Sequence, residues 1–213
     1  MKKRRIINML LTAALACGGI VQADEVVSGP TVEAIFGITS DSWDDLELPN
    51  TTGLRGSYSV FMQSSPKVTH ELALSLAPQW GCKTTSEYYE GVHISAKLDA
   101  FMMPITLGYK PHFSLSEKAD LFLSARLGYA LVDADIDAVA YSGYSSGHAK
   151  MDAGIDGGFV SAIGLGFSFK IGEHANLIIG YEFQASRLKS DEVDVSDHTF
   201  KQHVISCGAA FKF

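Results

Sequence analysis

Strict alternation of side-chain character marks the end of this chain. One face of an extended final segment is apolar and closes in aromatic rings: Ile205, Cys207, Ala209, Phe211 and Phe213. The opposite face is small or polar: Val204, Ser206, Gly208, Ala210 and Lys212. Successive side chains of a strand point to opposite faces, and a strand that separates lipid from a polar interior needs this division. The pattern therefore predicts a transmembrane β-strand, with an amphipathic strand of a soluble β-protein as the alternative.

The opposite end of the chain predicts export. Residues 1–5 carry four positive charges, residues 6–21 are mostly apolar, and Val21-Gln22-Ala23 offers small residues for cleavage. This is the pattern of a secretory signal peptide. We therefore expect a signal peptide over residues 1–23 and a single β-barrel domain over residues 24–213.

Cys17 offers an alternative reading of the leader. It follows Leu15-Ala16 and could be a lipoprotein acylation site, although Ala14 stands where such a site needs Leu. No other stretch approaches about 18 continuous apolar residues, so no membrane-spanning helix is expected in the mature chain.

Charge and cysteine content narrow the classes of partner and fold. Removal of the signal peptide takes away four basic residues and no acid, so the net charge moves from -7 to -11. Such an acidic chain is a poor ligand for nucleic acid. The two remaining cysteines, Cys82 and Cys207, lie far apart along the chain, and sparse cysteine argues against a disulfide scaffold.

Eight segments have strand character: Thr31–Thr39, Thr52–Gln63, Val68–Trp80, Val92–Lys110, Leu121–Asp133, Gly158–Ile171, Asn176–Leu188 and Lys201–Phe213. About ten residues suffice for a tilted strand to cross a bilayer. The first and fourth segments alternate less cleanly. The fourth is too long and contains Pro104, so we expect a bulge or bend there, or only Phe101–Lys110 in the membrane.

The connections between these segments alternate in length. Four are long: Ser40–Thr51, Gly81–Gly91, Ala134–Gly157 and Lys189–Phe200. Three are short: Ser64–Lys67, Pro111–Asp120 and Gly172–Ala175. Long loops on one rim and short turns on the other predict an all-β, eight-stranded antiparallel up-and-down transmembrane β-barrel with periplasmic N- and C-termini. A soluble lipocalin-type barrel would instead turn its apolar side chains inward.

Aromatic side chains support insertion in a membrane. Seven fall on the predicted outward faces, several of them near strand ends: Tyr58, Trp80, Tyr109, Tyr129, Tyr181, Phe211 and Phe213. Aromatic girdles of this kind lie at the two membrane interfaces of transmembrane barrels.

At these positions the chain resembles the small eight-stranded outer-membrane barrels, a group that includes the OmpA transmembrane domain, OmpX and the opacity-type surface proteins. The segments that carry the resemblance are Ser206–Phe213, Met103–Tyr109 and Arg126–Tyr129. The resemblance implies a location in the bacterial outer membrane, contact with its lipids and lipopolysaccharide, and a monomeric barrel. It also implies that Ser206, Gly208, Phe211 and Phe213 form a terminal signal for the barrel-assembly machinery.

The alternation places seven ionisable side chains inside the barrel: Glu33, Arg55, Glu71, Lys110, Arg126, Lys170 and Glu182. Eight strands enclose only enough room for side chains. Unpaired burial would cost several kcal/mol for each charge, so we expect ion pairs across the interior, Arg126 with Glu182 above all. This predicts a barrel filled by an ionic network, without a catalytic residue, metal or cofactor. A small, low-conductance channel is the alternative.

The predicted outer loops are acidic and suggest a structural or surface-interaction role, such as adhesion to a host surface. Divalent cations could join these loops to anionic lipid head groups. The run Asp133-Ala134-Asp135-Ile136-Asp137 has alternating acids, but Ala138 stands where a calcium-binding EF-hand loop needs Gly. Simple solvation of exposed loops is the other explanation.

A lipid A-modifying enzyme is the third class considered. His93-Ile94-Ser95 resembles the His-x-Ser dyad of the lipid A deacylases, and Glu90 could orient the imidazole. The flanking residues of that family are missing. The other histidines show no spacing suited to a zinc site.

Overall fold

The computed structural model describes residues 26–40, 42–43, 46–47, 49–89, 91–142, 145–152, 155–190 and 198–211. The predicted signal peptide, Cys17, Glu90 and Phe213 lie outside the described residues. Within the described part of the chain, no helix has the length and apolar character needed to cross a bilayer.

Twelve strands make up the described structure: β1 (Val26–Thr39), β2 (Ser42–Trp43), β3 (Leu46–Glu47), β4 (Thr51–Ser65), β5 (Val68–Leu76), β6 (Gln79–Tyr89), β7 (Val92–Ser116), β8 (Ala119–Ser142), β9 (Ser145–Asp152), β10 (Ile155–Lys170), β11 (Ala175–Ser190) and β12 (His198–Phe211). β2 and β3 pair only with each other.

The remaining strands form a closed antiparallel ring with eight wall positions. β5 and β6 share one position between β4 and β7, and β9 and β10 share another beside β8. The ring closes where β1 pairs with β12, through a register that runs from Thr31–Ala210 to Thr39–Gln202. The predicted all-β, eight-stranded antiparallel barrel is therefore confirmed.

Side chains alternate between the outside and the interior of the wall as predicted. On β8, Leu127 is 58% exposed whereas its neighbour Arg126 is 3% exposed. The same division holds on β12, where Ile205 and Phe211 face out and Ser206 is buried. The wall is thus apolar outside and polar inside, the reverse of a soluble barrel.

Two rims can be distinguished. β1 begins and β12 ends at what we call the chain-end rim, where short turns join β4 to β5, β7 to β8 and β10 to β11. At the opposite rim, which we call the hairpin rim, β6 continues into β7 and β8 continues into β9. These two hairpins extend beyond the ends of β4 and β12 and pair with each other through β7 and β8.

The two middle connections predicted as loops are therefore wrong in their secondary structure. Residues 82–89, 92–99, 135–142 and 145–152 form what we call the projecting sheet. Residues 84–89 are rich in Thr and Tyr. Residues 133–138 alternate polar with apolar side chains and are followed by Val139 and Tyr141, so both segments favour strands. Gly91, with a φ of 86°, supplies the positive φ that the two-residue turn between Tyr89 and Val92 requires.

The polarity of the two faces is exchanged where the wall becomes the projecting sheet. Met102, Leu98 and Ala134 are apolar and buried on the interior face, whereas Lys97 and Asp135 lie on the outer face. The outer face is apolar along the barrel wall and ionic above it. This change locates the edge of the apolar belt on strands β7 and β8.

Pro104 does not produce the expected bulge. Pairing of β7 with β8 passes through Met103–Leu131 and Pro104–Ala130 without a shift in register. The interruption lies instead in the neighbouring strand, between β5 and β6 at Ala77 and Pro78. Pro104 has no N–H to donate, and it lies beside the break between β5 and β6. Its carbonyl oxygen still accepts a hydrogen bond from the Ala77 N–H at 3.0 Å.

Gly128 offers a test of how closely the wall strands are packed. A Cβ added there would collide with the Ile105 carbonyl oxygen and would lie 2.7 Å from the Thr106 Cα on the paired strand. We predict that Gly128→Ala lowers the free energy of unfolding in detergent micelles by about 1–3 kcal/mol, the usual cost of overpacking. Urea unfolding followed by heat-modifiable gel migration measures this. The control is Gly147→Ala, where nothing lies within 4 Å of the added Cβ; equal effects would contradict the prediction.

Candidate functional site

The barrel interior contains a cluster of buried ionisable side chains, which we call the ion cluster: Glu33, Arg55, Glu71, Lys110, His112, Arg126 and Glu182. Three carboxyl groups face two arginines and one lysine, and the cluster also includes one histidine. The residues come from β1, β4, β5, β7, β8 and β11, so the cluster connects most of the ring.

Arg55 lies between two carboxylates from different strands. Its Nη1 donates to Glu33 Oε2 at 3.1 Å, and its Nη2 donates to Glu182 Oε2 at 2.7 Å. These contacts join β4 to β1 on one side and to β11 across the interior. Charge-assisted hydrogen bonds at this spacing are the strong kind.

Arg126 approaches the same two carboxylates from β8. Its Nε lies 2.9 Å from Glu182 Oε1, and its Nη2 lies 3.8 Å from Glu33 Oε2. The Nε contact is an ion pair without hydrogen-bond geometry. The structure thus brings Arg126 and Glu182 together. Glu33 and Glu182 each contact both Arg55 and Arg126.

Glu71 organises a second group nearer the chain-end rim. Its Oε1 accepts from Ser59 Oγ at 2.7 Å and lies 3.4 Å from Lys110 Nζ. Its Oε2 lies 2.8 Å from His112 Nε2. The Lys110 ammonium also lies 5.4 Å from the centroid of the Phe122 ring, a distance at which the ring face attracts a cation.

Lys170 does not join the ion cluster. The side chain is exposed and lines a cavity of about 280 Å³ at the chain-end rim, together with Lys67, Asp120 and Glu173. The strand alternation gave its face correctly, but Lys170 is the last residue of β10, beyond the closed part of the interior. His112 lies at the inner limit of the same cavity.

Apolar side chains lie on both sides of the ion cluster along the barrel axis. Toward the chain-end rim, Phe122, Ile178 and Ala210 pack together. Toward the hairpin rim there are two apolar groups: Met102, Ala130 and Val160, and Ile35, Ala77 and Val204. The charges therefore lie in a low-dielectric environment, where unpaired ions are costly.

Sequence reasoning missed the polar partners of the ion cluster. His112 fell in a segment predicted as a connection, although it lies two residues beyond Lys110 and so shares its face. Ser124 donates to Glu182 Oε1 at 3.1 Å, and Ser75 Oγ lies 3.4 Å from Arg126 Nη1. Ser75 and Ser124 could have been predicted as partners, because each lies on the interior face of a strand that also carries a charged side chain.

Two of the three aspartates of the run considered for calcium pair with basic residues. Asp135 Oδ2 lies 3.0 Å from Lys150 Nζ, and Asp137 Oδ1 lies 2.7 Å from His148 Nε2. The three acids follow one another along the outer face of β8 and do not form a loop. Among the residues that the structure describes, no three His, Cys, Asp or Glu side chains are placed to hold a metal ion.

The His93–Ser95 pair does not have the geometry of a nucleophile and its base. Ser95 Oγ accepts a hydrogen bond from Ser86 Oγ at 3.3 Å. The His93 ring lies beside Tyr141, with 6.5 Å between the ring centroids.

Cys82 and Cys207 are free, exposed thiols. They lie on β6 and β12, and Cys207 is on the apolar outer face of the wall. The predicted absence of a disulfide between them agrees with these positions.

Comparison with known families decides the class of the protein. Residues 9–213 match the model of the outer membrane protein β-barrel domain. The chain belongs to this family. It is therefore a β-barrel protein of the bacterial outer membrane, and the observed apolar exterior is its lipid-facing surface. No curated protein matches the chain in sequence.

Three solved structures are similar to this chain, and one of them, with a TM-score above 0.5, shows the same fold. Neisserial surface protein A has 14% identity and a TM-score of 0.52, with 88% of this chain and 97% of that one covered. Escherichia coli outer membrane protease OmpT has 8% identity and a TM-score of 0.45, with 90% and 98% covered. Pseudomonas aeruginosa OprG has 14% identity and a TM-score of 0.43, with 91% and 97% covered. At 14% identity the likeness to neisserial surface protein A concerns the fold alone.

We predict that Glu182→Gln destabilises this outer-membrane barrel by about 3–5 kcal/mol, because two buried guanidinium groups lose a shared counter-ion. Urea unfolding in micelles, followed by gel migration, measures the change. The control is Lys170→Gln, which removes an exposed charge and should stay within about 0.5 kcal/mol of the parent. A Glu182→Gln variant as stable as this control would show that the ion cluster contributes nothing.

Proposed function

We propose that this chain is a non-conducting surface protein of the outer membrane. The observation that carries the proposal is the ion cluster, whose buried charges pair with one another across the interior. An ion crossing the interior would have to displace a pair such as Arg55–Glu182, whose atoms are 2.7 Å apart.

In this proposal the chain-end rim faces the periplasm and the projecting sheet faces the cell exterior. The short turns at the chain-end rim and the long hairpins at the other agree with the usual orientation of such barrels. Ser206, Gly208, Phe211 and Phe213 would serve as the terminal signal for the barrel-assembly machinery. The barrel would be a monomer of residues 24–213, surrounded by outer-membrane lipids and lipopolysaccharide, after removal of the signal peptide.

The projecting sheet is the surface best placed to meet another molecule. Tyr88 and Tyr89 at the β6–β7 turn are 74% and 67% exposed, and Tyr141 near the β8–β9 turn is 53% exposed. Exposed tyrosines supply large contact areas at a low cost in side-chain entropy and are enriched in binding surfaces. We propose that this tip provides adhesion-like contact with a host surface.

A small channel is the second candidate function. The cavity of about 280 Å³ at the chain-end rim reaches inward to His112 and thus covers part of the length of the interior. Conduction would require the Glu71–Lys110–His112 group to separate.

The first test of the proposal is electrical. We predict that the barrel of residues 24–213, inserted in a planar bilayer, gives no discrete current steps, because the paired charges of the ion cluster obstruct the interior. Heat-modifiable migration of protein recovered from matching vesicles controls for folding and insertion. Reproducible steps that disappear when the protein is omitted would favour the channel instead.

The second test concerns the projecting sheet. Lys83 pairs with Leu98, so replacing residues 84–97 by Asn-Gly closes a two-residue turn without changing the wall. We predict that Escherichia coli displaying this shortened chain attaches less to cultured epithelial cells than bacteria displaying the parent at equal density. Lys170→Gln, at the other rim, is the control. Equal attachment by all three would contradict the adhesion role.

A further inference from the structure

A surface cleft lies on the outer face at the base of the projecting sheet. Its volume is about 480 Å³. The side chains that decide its chemistry are Trp80 and Cys82 from β6, Asp99 and Phe101 from β7, and Asp133 and Asp135 from β8. The cleft thus spans the line where the apolar belt of the wall gives way to the ionic outer face above it.

One wall of the cleft is aromatic. Trp80 and Phe101 are directly paired residues of β6 and β7, and their ring centroids are 5.6 Å apart. Trp80 is 53% exposed, so its ring remains available to a ligand. The face of an indole ring attracts a cation and also packs against apolar groups.

The other wall is acidic. Asp99 and Asp135 lie directly opposite each other on β7 and β8, an arrangement of like charges that destabilises a sheet unless a cation is present. Lys97 and Lys150 each bind one carboxylate oxygen, at 2.6 Å and 3.0 Å, from the cross-strand row nearer the tip. The hydrogen bond from Lys97 lowers the pKa of Asp99, so this carboxyl stays ionised near neutral pH.

Asp133 adds a third carboxylate beside the aromatic wall. It makes no ion pair with any residue in the described ranges. Three acids and two neighbouring lysines leave the cleft with a net negative charge. The acids do not converge as metal ligands do, since no three metal-binding side chains are grouped among the described residues. A cation suited to this cleft is therefore larger than a metal ion and partly apolar.

We propose that the cleft binds an amphiphilic ammonium group, with the charged head between the carboxylates and the apolar part against Trp80 and Phe101. Charge-assisted hydrogen bonds and cation–π attraction act together in this arrangement. The ammonium could belong to a lipid head group or to a water-soluble cationic amphiphile, because both reach the membrane surface at this level. The site is separate from the ion cluster and from the tip of the projecting sheet.

Hexylammonium, titrated into protein held in maltoside micelles, is the probe for this site, and the micelles carry no competing ammonium. The chain has two tryptophans, so Trp43→Phe leaves Trp80 as the reporter. We expect a saturable change in Trp80 fluorescence with hexylammonium and only linear partitioning with hexanol, which has the same chain without the charge. Absence of saturation with hexylammonium would overturn the proposal.

Removing acids inside or outside the cleft distinguishes specific binding in the cleft from general electrostatic attraction to an acidic surface. Asp133→Asn with Asp135→Asn should raise the dissociation constant about tenfold or more, equivalent to about 1.4 kcal/mol. Glu87→Gln with Glu173→Gln removes two exposed acids that do not line the cleft, one on the projecting sheet and one at the chain-end rim, and should leave binding almost unchanged. Heat-modifiable migration confirms that each variant is folded. Equal weakening by both pairs would overturn the proposal.

Thiol protection gives an independent readout and identifies the source of the ammonium. In a Cys207→Ser background, Cys82 is the single thiol of residues 24–213, and bound ligand should slow its reaction with a maleimide. Protection by phosphatidylethanolamine in mixed micelles assigns the site to a lipid head group. Protection only by a lysine-containing amphipathic peptide assigns it to a soluble amphiphile, and protection by neither overturns the proposal.

Discussion

The balance of charge inside the barrel is the constraint on which the rest of the structure depends. Glu33, Glu71 and Glu182 face Arg55, Lys110 and Arg126, so the buried acids and the buried Arg and Lys residues are equal in number. No single strand contains a complete pair, because each acid meets bases contributed by other wall positions. The interior therefore acquires its electrostatic neutrality only when the ring is assembled, which links the chemistry of the lumen to closure of the sheet.

The same cluster explains why an acidic protein can have a neutral core. The chain carries a net charge of -7, yet the ion cluster contributes nothing to that sum. Among the described acids outside the cluster, several lie on water-exposed surfaces, for example Asp99 and Asp135 on the outer face of the projecting sheet. Acids in that position are solvated, whereas an unbalanced acid in the narrow interior would cost several kcal/mol.

The barrel wall could be predicted from the sequence because lipid and lumen impose a period of two on every spanning strand. The faces of β8 and β12 follow directly from this alternation, as does the encounter of Arg126 with Glu182. Above the membrane both environments are aqueous, so alternation no longer indicates which face is the interior. For this reason the alternation does not predict residues 82–89 and 135–142 as strands, although both are strands in the structure.

The sequence predicts which side chains face the interior more readily than it predicts which of them belong to the ion cluster. Alternation assigns a side chain to the interior, but it does not show whether that position is deep or at a rim. Lys170 and His112 illustrate the difficulty, since both lie on interior faces but only His112 is buried. Depth depends on how far each strand is shifted relative to its neighbours, and that shift is a property of the closed ring.

The reversal of polarity along β7 and β8 has a consequence for how the protein sits in its bilayer. Between Phe101 and Asp99 the outer face passes from aromatic to ionic within one repeat, about 6.6 Å of strand. If the barrel moved that distance into the bilayer, the Asp99 carboxylate would enter the acyl chains. If it moved the same distance out, the Phe101 ring would be exposed to water. The barrel is thus held at one height, and a membrane of unmatched thickness must stretch or thin around it.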